Sequence, residues 1–342
     1  MTRIGHTRRL VMAAGLALGV LGGQAAVAQE EFVPPEVVVT DRNAALLYHR
    51  VWMYMDRDLQ ELWVSGEPST LAEGGAAMLR DSQDTIRAIL KATRQDHADW
   101  EVEFEQGPHA LLPNLGKLRA TARVLAADAL RCAEDGDPAG AAERIGALYR
   151  MGEHSTPETF YIGSLVGLAI SNLGNRLANQ LLDADVLDAH AAGVLLAELE
   201  RVDLDNPLNI REAIRQERDG LADYFLTHCT GPDAGQQLLE HVPAMVGDDS
   251  DVMEGPLSAM DGDALRRDFQ GYRRFYDDVL SVWDEPDAGK RITEMEQATA
   301  EGEYGQVAKI FSASLSKSRQ HAEAFRDDHT ALLDRLRQAA DG

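Results

Sequence analysis

Apolar residues recur along this chain at helical spacing almost from end to end. Leu47, Val51, Met55, Leu59 and Leu62 step by 4, 4, 4 and 3, so they share one face of a helix that Thr40 or Asp41 can cap and that Gly66 and Pro68 end. A second helix is predicted over 75–94, with Met78, Ile86, Ile89 and Leu90 turned inward. Leu115, Leu118, Ala122, Leu125, Ala129 and Cys132 step by 3 and 4 along a third. Towards the C terminus, Phe311, Leu315, Ser318, Ala322, Phe325, His329, Leu332 and Leu336 alternate steps of 4 and 3. That spacing predicts one helix packed on its neighbours, with Ser318 and His329 interrupting a coiled-coil-like seam.

The period changes to two at one place. Trp100, Val102 and Phe104 alternate with Glu101, Glu103 and Glu105, which predicts a short extended segment with an aromatic side and an acidic side. Elsewhere the helix starts are punctuated. Asp137-Pro138, Thr156-Pro157 and Asn206-Pro207 each put a capping residue before a proline suited to a first turn, and Ser155 with Glu158 offers a capping box as an alternative start. These marks divide 113–245 into about five helices on short turns. Gly136-Asp137 predicts a tight helical hairpin similar to a tetratricopeptide turn, without a sustained repeat at that period. The expected fold is all-α, a multi-helix bundle of helical hairpins, TPR-like or an irregular array, with little or no β. It comprises a helical domain at 41–246, an acidic loop at 247–263 and C-terminal helices at 264–342 that pack on the same domain.

The segment from Thr159 to Asn175 holds 17 residues without a charge. A membrane span needs ~20 predominantly apolar residues, and this stretch contains Ser, Asn and Gly, so it is read as a helix buried on most sides. Gly163, Gly167, Ser171 and Asn175 recur every four residues, and Asn172, Asn175 and Asn179 form a polar stripe beside them. Two readings fit: a polar groove for a ligand or peptide, or a smooth track for a neighbouring helix whose amides satisfy buried backbone groups. Packing is favoured, because helix contacts are many and pockets few; the six residues stand as the candidate groove.

The N terminus changes where such a bundle belongs. Arg3, Arg8 and Arg9, the apolar run LVMAAGLALGVLGG and Ala26-Val27-Ala28 predict a secretory signal over 1–28 that is removed, followed by an extended lead-in over 29–40. The Arg8-Arg9 pair leaves export of an unfolded or a folded chain open. The expected location is periplasmic or extracellular. Loss of the three arginines takes the formal charge from −24 to −27. Such a balance argues against nucleic acid and anionic lipid and leaves partners that are neutral, cationic or matched by shape. Cys132 and Cys229 are the only cysteines, which permits one disulfide in an oxidising compartment, although the place of Cys132 on an apolar stripe favours a small buried hydrophobe.

Candidate chemistry is sparse. Ser314 and Lys317 match S-x-x-K without the accompanying S-D-N and K-T-G elements of penicillin-binding hydrolases. His228 with Cys229 and His241, and His154 with Glu158, fall short of a zinc ligand set, and no metal is predicted. A calcium loop from Asp249 keeps Asp251 but meets Met253 and Glu254 at its fifth and sixth positions. Glu101 and Glu103 beside Trp100 could serve as a carboxylate pair of the kind glycosidases use, although alternating glutamates on a short strand more often face water. Arg211, Glu212, Arg215, Glu217, Arg218 and Asp219 read as an exposed ion-pair lattice. No phosphate loop, dinucleotide fingerprint or G-x-S-x-G occurs, so no cofactor is predicted.

NAALLYHRVW at 43–52, LPNLGKLRATARVLAADAL at 112–130, GDPAGAAERIGAL at 136–148 and IGSLVGLAI at 162–170 together resemble a family of exported helical proteins from planctomycete-type bacteria. The resemblance implies export and helices and carries no catalytic residue. The function expected is an envelope scaffold with a protein or peptide partner. The alternatives are a glycan- or small-molecule-active enzyme, with Trp100, Glu101 and Glu103 first to test, and a structural envelope component.

Overall fold

In the computed structural model of the protein, which describes residues 42–55, 59, 74–156, 161–241 and 255–342, the helical periods become thirteen α-helices and three short 3-10 helices, with no β-strand. Residues 1–28 expected to be a signal, the expected lead-in, Leu62, Gly66, Pro68, Pro157, Glu158 and the loop residues Asp249, Asp251, Met253 and Glu254 lie outside the described residues.

Helix α1 (Ala44–Tyr54) is capped by Asn43, rather than by Thr40 or Asp41. The Asn43 Oδ1 accepts from Ala45 N at 3.0 Å and from Asp99 N at 2.9 Å, and its amide donates to Asp99 O, so the cap also ties α1 to a segment 56 residues away. The helix expected over 75–94 is two, α2 (Gly75–Asp81) and α3 (Gln83–Thr93), because Ser82 leaves helical geometry (φ −96°, ψ 15°) and ends one while starting the other. The period-two segment does not extend. Glu101 has φ 51° and its N–H turns to Asp99 Oδ1 at 2.9 Å, the local bond by which an aspartate makes a turn, and a 3-10 helix follows at Phe104–His109.

Helices α4 (Pro113–Glu134) and α5 (Pro138–Glu153) form the expected hairpin. Gly136 takes φ 73°, the Asp137 N–H closes on Cys132 O at 2.8 Å, and Asp137 Oδ1 accepts Gly140 N with Pro138 in the first turn. Then come α6 (Tyr161–Asp183) and α7 (Ala189–Leu199), the latter capped by Asp188. Asn206-Pro207 opens a 3-10 turn, Pro207–Asn209, and only afterwards does α8 (Ile210–His228) begin. The remaining helices are α9 (Ala234–His241), α10 (Gly262–Val282), α11 (Ala288–Glu301), α12 (Gln306–Phe311) and α13 (Leu315–Asp341), with a 3-10 turn at Pro256–Ala259. All eight residues of the C-terminal stripe are buried, but Phe311 belongs to α12, because the chain leaves the helix between the two.

Helix α6, which holds most of the uncharged stretch, lies inside, against α4, α5, α8 and α13. No helix among the described residues is long and apolar enough to cross a membrane. Its neighbours are pinned by one buried acid. Asp128 accepts Arg131 Nε at 2.6 Å, Arg144 Nε at 2.8 Å and Gln83 Nε2 at 3.0 Å, which joins α4 to α5 and α3 and leaves no uncompensated charge. Cys132 and Cys229 are free and buried in the core. No bond joins them: Cys132 lies on the buried face of α4 and Cys229 just beyond the end of α8, each packed as a small apolar residue.

Candidate functional site

The recurrence of small residues on α6 is a close helix crossing. A Cβ placed on Gly167 would lie 2.8 Å from Gly152 O, from Ser155 Oγ and from Leu208 Cδ1, and one on Gly152 would lie 2.6 Å from Ser171 Oγ. The track is thus occupied by α5. Ser155 Oγ donates to Gly163 O at 3.0 Å across the same crossing. The neighbouring amides face helix α13 and the end of α5. Asn175 meets Tyr149 and His329, Asn179 donates to Asn175 O at 3.0 Å and receives Arg335, and Asn172 is half-buried. His329 Nε2 must be a donor, because Leu199 O at 3.1 Å can only accept, so its Nδ1 is an acceptor. Turning the Asn175 amide end for end supplies the donor Nδ1 needs and gives the otherwise orphaned amide nitrogen two partners.

Where this crossing ends, a cleft of about 280 Å³ opens between the C-terminal end of α5, the segment after α3, helix α6 and the loop that leads into α8. Buried Tyr149, His154 and Ser171 line it, so one residue of the predicted track reaches it. Asp96, Glu153 and Asp203 bring carboxylates from three different elements, and Asn206, Asn209 and His97 add polar groups. Of these six only Asn206 carried a signal in the sequence, as a helix cap before Pro207. Glu153 is exposed, yet the surrounding protein desolvates its carboxyl and holds it above the ordinary glutamate range, against the pull of Arg201 and Arg150. Arg150 itself forms a bidentate pair with Glu198.

His154 is held at both ends. Its Nε2 donates to Gln95 O at 2.9 Å, which leaves Nδ1 to accept from the Tyr48 hydroxyl at 3.1 Å, and burial pushes its pKa down to about 4. It is a neutral structural residue whose backbone carbonyl also receives the Trp100 indole N–H at 2.7 Å. The opposite rim is strained. Leu208 and Asn209 both take left-handed backbone (φ 54° and 53°), a conformation that asparagine adopts readily but that costs a residue such as Leu208 about 1–2 kcal/mol. Three contacts hold them there: Ser164 Oγ to Leu208 O at 2.9 Å, Asn209 N to Asn206 O at 3.0 Å, and the Leu208 side chain seated on Gly167.

Other predicted residues are dispersed. Ser314 and Lys317 are exposed at the start of α13. Glu101 and Glu103 face outward, while the Trp100 ring stacks on Trp52 and Tyr48 at centroid distances of 5.6 and 5.8 Å, and Lys117 lies over Trp52. His241 pairs with His109, from a segment 132 residues away, at 2.7 Å; His228 instead stacks on Tyr224 at 4.3 Å. No group of three or more metal-ligating side chains assembles among the described residues. In the α8 lattice, Arg211 pairs with Asp284, Arg215 with Glu212, and Arg218 with Asp219 and Asp277, while Glu217 turns to the N–H of Tyr161. Comparison with protein-family models, with curated proteins and with solved structures finds no match to this chain.

Proposed function

We propose that the protein is an exported helical interaction scaffold that grips a partner polypeptide by a lysine or arginine side chain inserted into the cleft beside α5. One observation carries the reading: Asp96, Glu153 and Asp203, from three separate elements, line a single opening whose walls also carry the amides of Asn206 and Asn209, buried Tyr149, His154 and Ser171, and the apolar side chains of Val202 and Leu208. Its volume, about 280 Å³, suits one long side chain better than a large ligand. A cation there gains from the carboxylate of Glu153, which the surrounding protein already desolvates. The net charge of −24 draws a basic surface towards the protein over a longer range. The strained Leu208-Asn209 rim fixes the amide of Asn209 at the opening, which is where stored backbone strain commonly serves recognition. The location rests on the signal-like residues 1–28.

In-cell crosslinking of the tagged protein, with capture competed by untagged protein, tests the proposal. The wild type captures a partner reproducibly, and the Glu153→Gln, Asp203→Asn double variant binds it at least about tenfold more weakly. Capture unchanged in a double variant shown to be folded by circular dichroism would reject the cleft. Deleting residues 1–28 should retain the protein in the cytoplasm and abolish capture; persistence of both export and capture would reject the assigned signal.

A further inference from the structure

The loop that borders the cleft also borders a second, larger opening. Asp203, Asn206 and Asn209 line the cleft, whereas Leu204, Asp205 and Pro207 line a cavity of about 510 Å³ that is bounded further by Arg211 at the start of α8, by the turn after α10 and by α13. Its walls carry three guanidiniums and four carboxylates. Arg211 Nη1 meets Asp284 at 2.5 Å, and its Nη2 donates to Asp205 O at 3.1 Å. Arg319, only 7% exposed, donates from Nε to Trp283 O at 2.8 Å and from Nη2 to Glu285 O at 3.3 Å, while its Nη1 pairs with Glu323 at 2.7 Å. The other oxygen of Glu323 lies 3.9 Å from Arg326, one turn further along α13. Glu285 is turned away to Arg291, so three cations and three anions remain at the opening.

Two properties of this set select a ligand. The first is fixed orientation. Backbone carbonyls hold the guanidiniums of Arg211 and Arg319, so their donors are placed before anything binds and lose little freedom when it does. The second is balance, pair by pair. A free anion at any of these guanidiniums meets the carboxylate beside it, and a free cation at Asp284 or Glu323 meets the guanidinium, so neither gains a net attraction. A zwitterion gains only by pulling the pairs apart. A hydroxyl is donor and acceptor at once, so neighbouring hydroxyls can accept from a guanidinium and donate to its partner carboxylate with the pair left intact. The cavity exceeds the needs of one side chain and suits a ligand of one or two rings. Pro207, Pro286 and Trp283 offer it apolar surface for ring C–H groups.

We propose that this opening binds a neutral saccharide, with Arg319, Glu323 and Arg326 of α13 on one wall and the Arg211–Asp284 pair on the other bonding its hydroxyls. The proposal stands apart from the grip on a basic side chain, since it uses none of the three carboxylates of the cleft.

Saturation-transfer NMR and calorimetric titration of the full protein with glucose, N-acetylglucosamine and maltose test this, with glutamate and arginine as charged probes. At least one neutral sugar should saturate the wild type, and neither charged probe should displace it. Glu323→Gln and Arg326→Gln should each weaken binding at least about tenfold. Both side chains reach the surface of α13, so circular dichroism should show both variants folded. Arg337→Gln, on the same helix but outside the opening, should bind as the wild type does. Tighter binding of maltose than of glucose assigns the opening to a glycan chain, and equal binding assigns it to a free sugar. Saturation by none of the three sugars, displacement by a charged probe, or binding unchanged in both folded variants would overturn the site.

Discussion

His154 shows how one side chain sets a pH limit. Its neutral ring is fastened to Tyr48 and Gln95, and burial lowers its pKa from the ordinary 6.5 to about 4. Between those values the unfolded chain binds the extra proton and the folded chain does not, so this residue's contribution is complete above 6.5 and is lost as pH falls towards 4. The loss is on the order of 3 kcal/mol. Urea unfolding of wild type and His154→Gln across that window should show a steep acid slope in the former and a shallower one in the latter; parallel slopes would mean the histidine is not the titrating group. The sequence could not have disclosed this role. The spacing of His154 from Glu158 drew attention to metal binding, whereas its partners lie 106 and 59 residues away and one of them is a backbone carbonyl.

Elements were far more legible than partners, because a helix writes its period and its caps locally while a contact between helices leaves no local trace. The Gly136-Asp137-Pro138 hairpin and the buried C-terminal stripe could be read directly. The failures have local causes too. A four-residue step survives the break between Phe311 and Leu315, so periodicity alone joins two helices; and alternation at Trp100–Glu105 yields to an aspartate turn and to the indole bond to His154. The glycine track was read as compatible with either a groove or a helix neighbour, and the neighbour is α5. Alanine at Gly167 should force α5, α6 and Leu208 apart and cost about 1–3 kcal/mol. Alanine at Gly116 on α4, whose Cβ would meet nothing within 4 Å, should stabilise by about 0.5–1 kcal/mol. Chemical denaturation of the pair checks both signs, and a neutral Gly167→Ala would show that the crossing has slack.

At the scale of the whole molecule, the question is whether so many helices unfold together. The described residues form one compact unit, and the long C-terminal helix α13 touches α6, α7 and α11, so the first half of the bundle cannot loosen without disturbing the last. The two free thiols can report on this, since Cys132 sits on α4 and Cys229 just beyond α8. Burial pushes both up to about 11, and the thiolate is the reacting form, so each should resist alkylation until its surroundings open. If the unit is cooperative, pulse labelling read by mass spectrometry should find both cysteines protected to the same extent at every denaturant concentration, with singly labelled chains scarce. A population labelled at Cys229 alone would show that α8 and its neighbours open as a separate unit. For a chain exported as proposed, the same burial predicts that the two thiols stay reduced, because an oxidant reaches them only when the core that joins α4 to α5 and α8 to α10 opens.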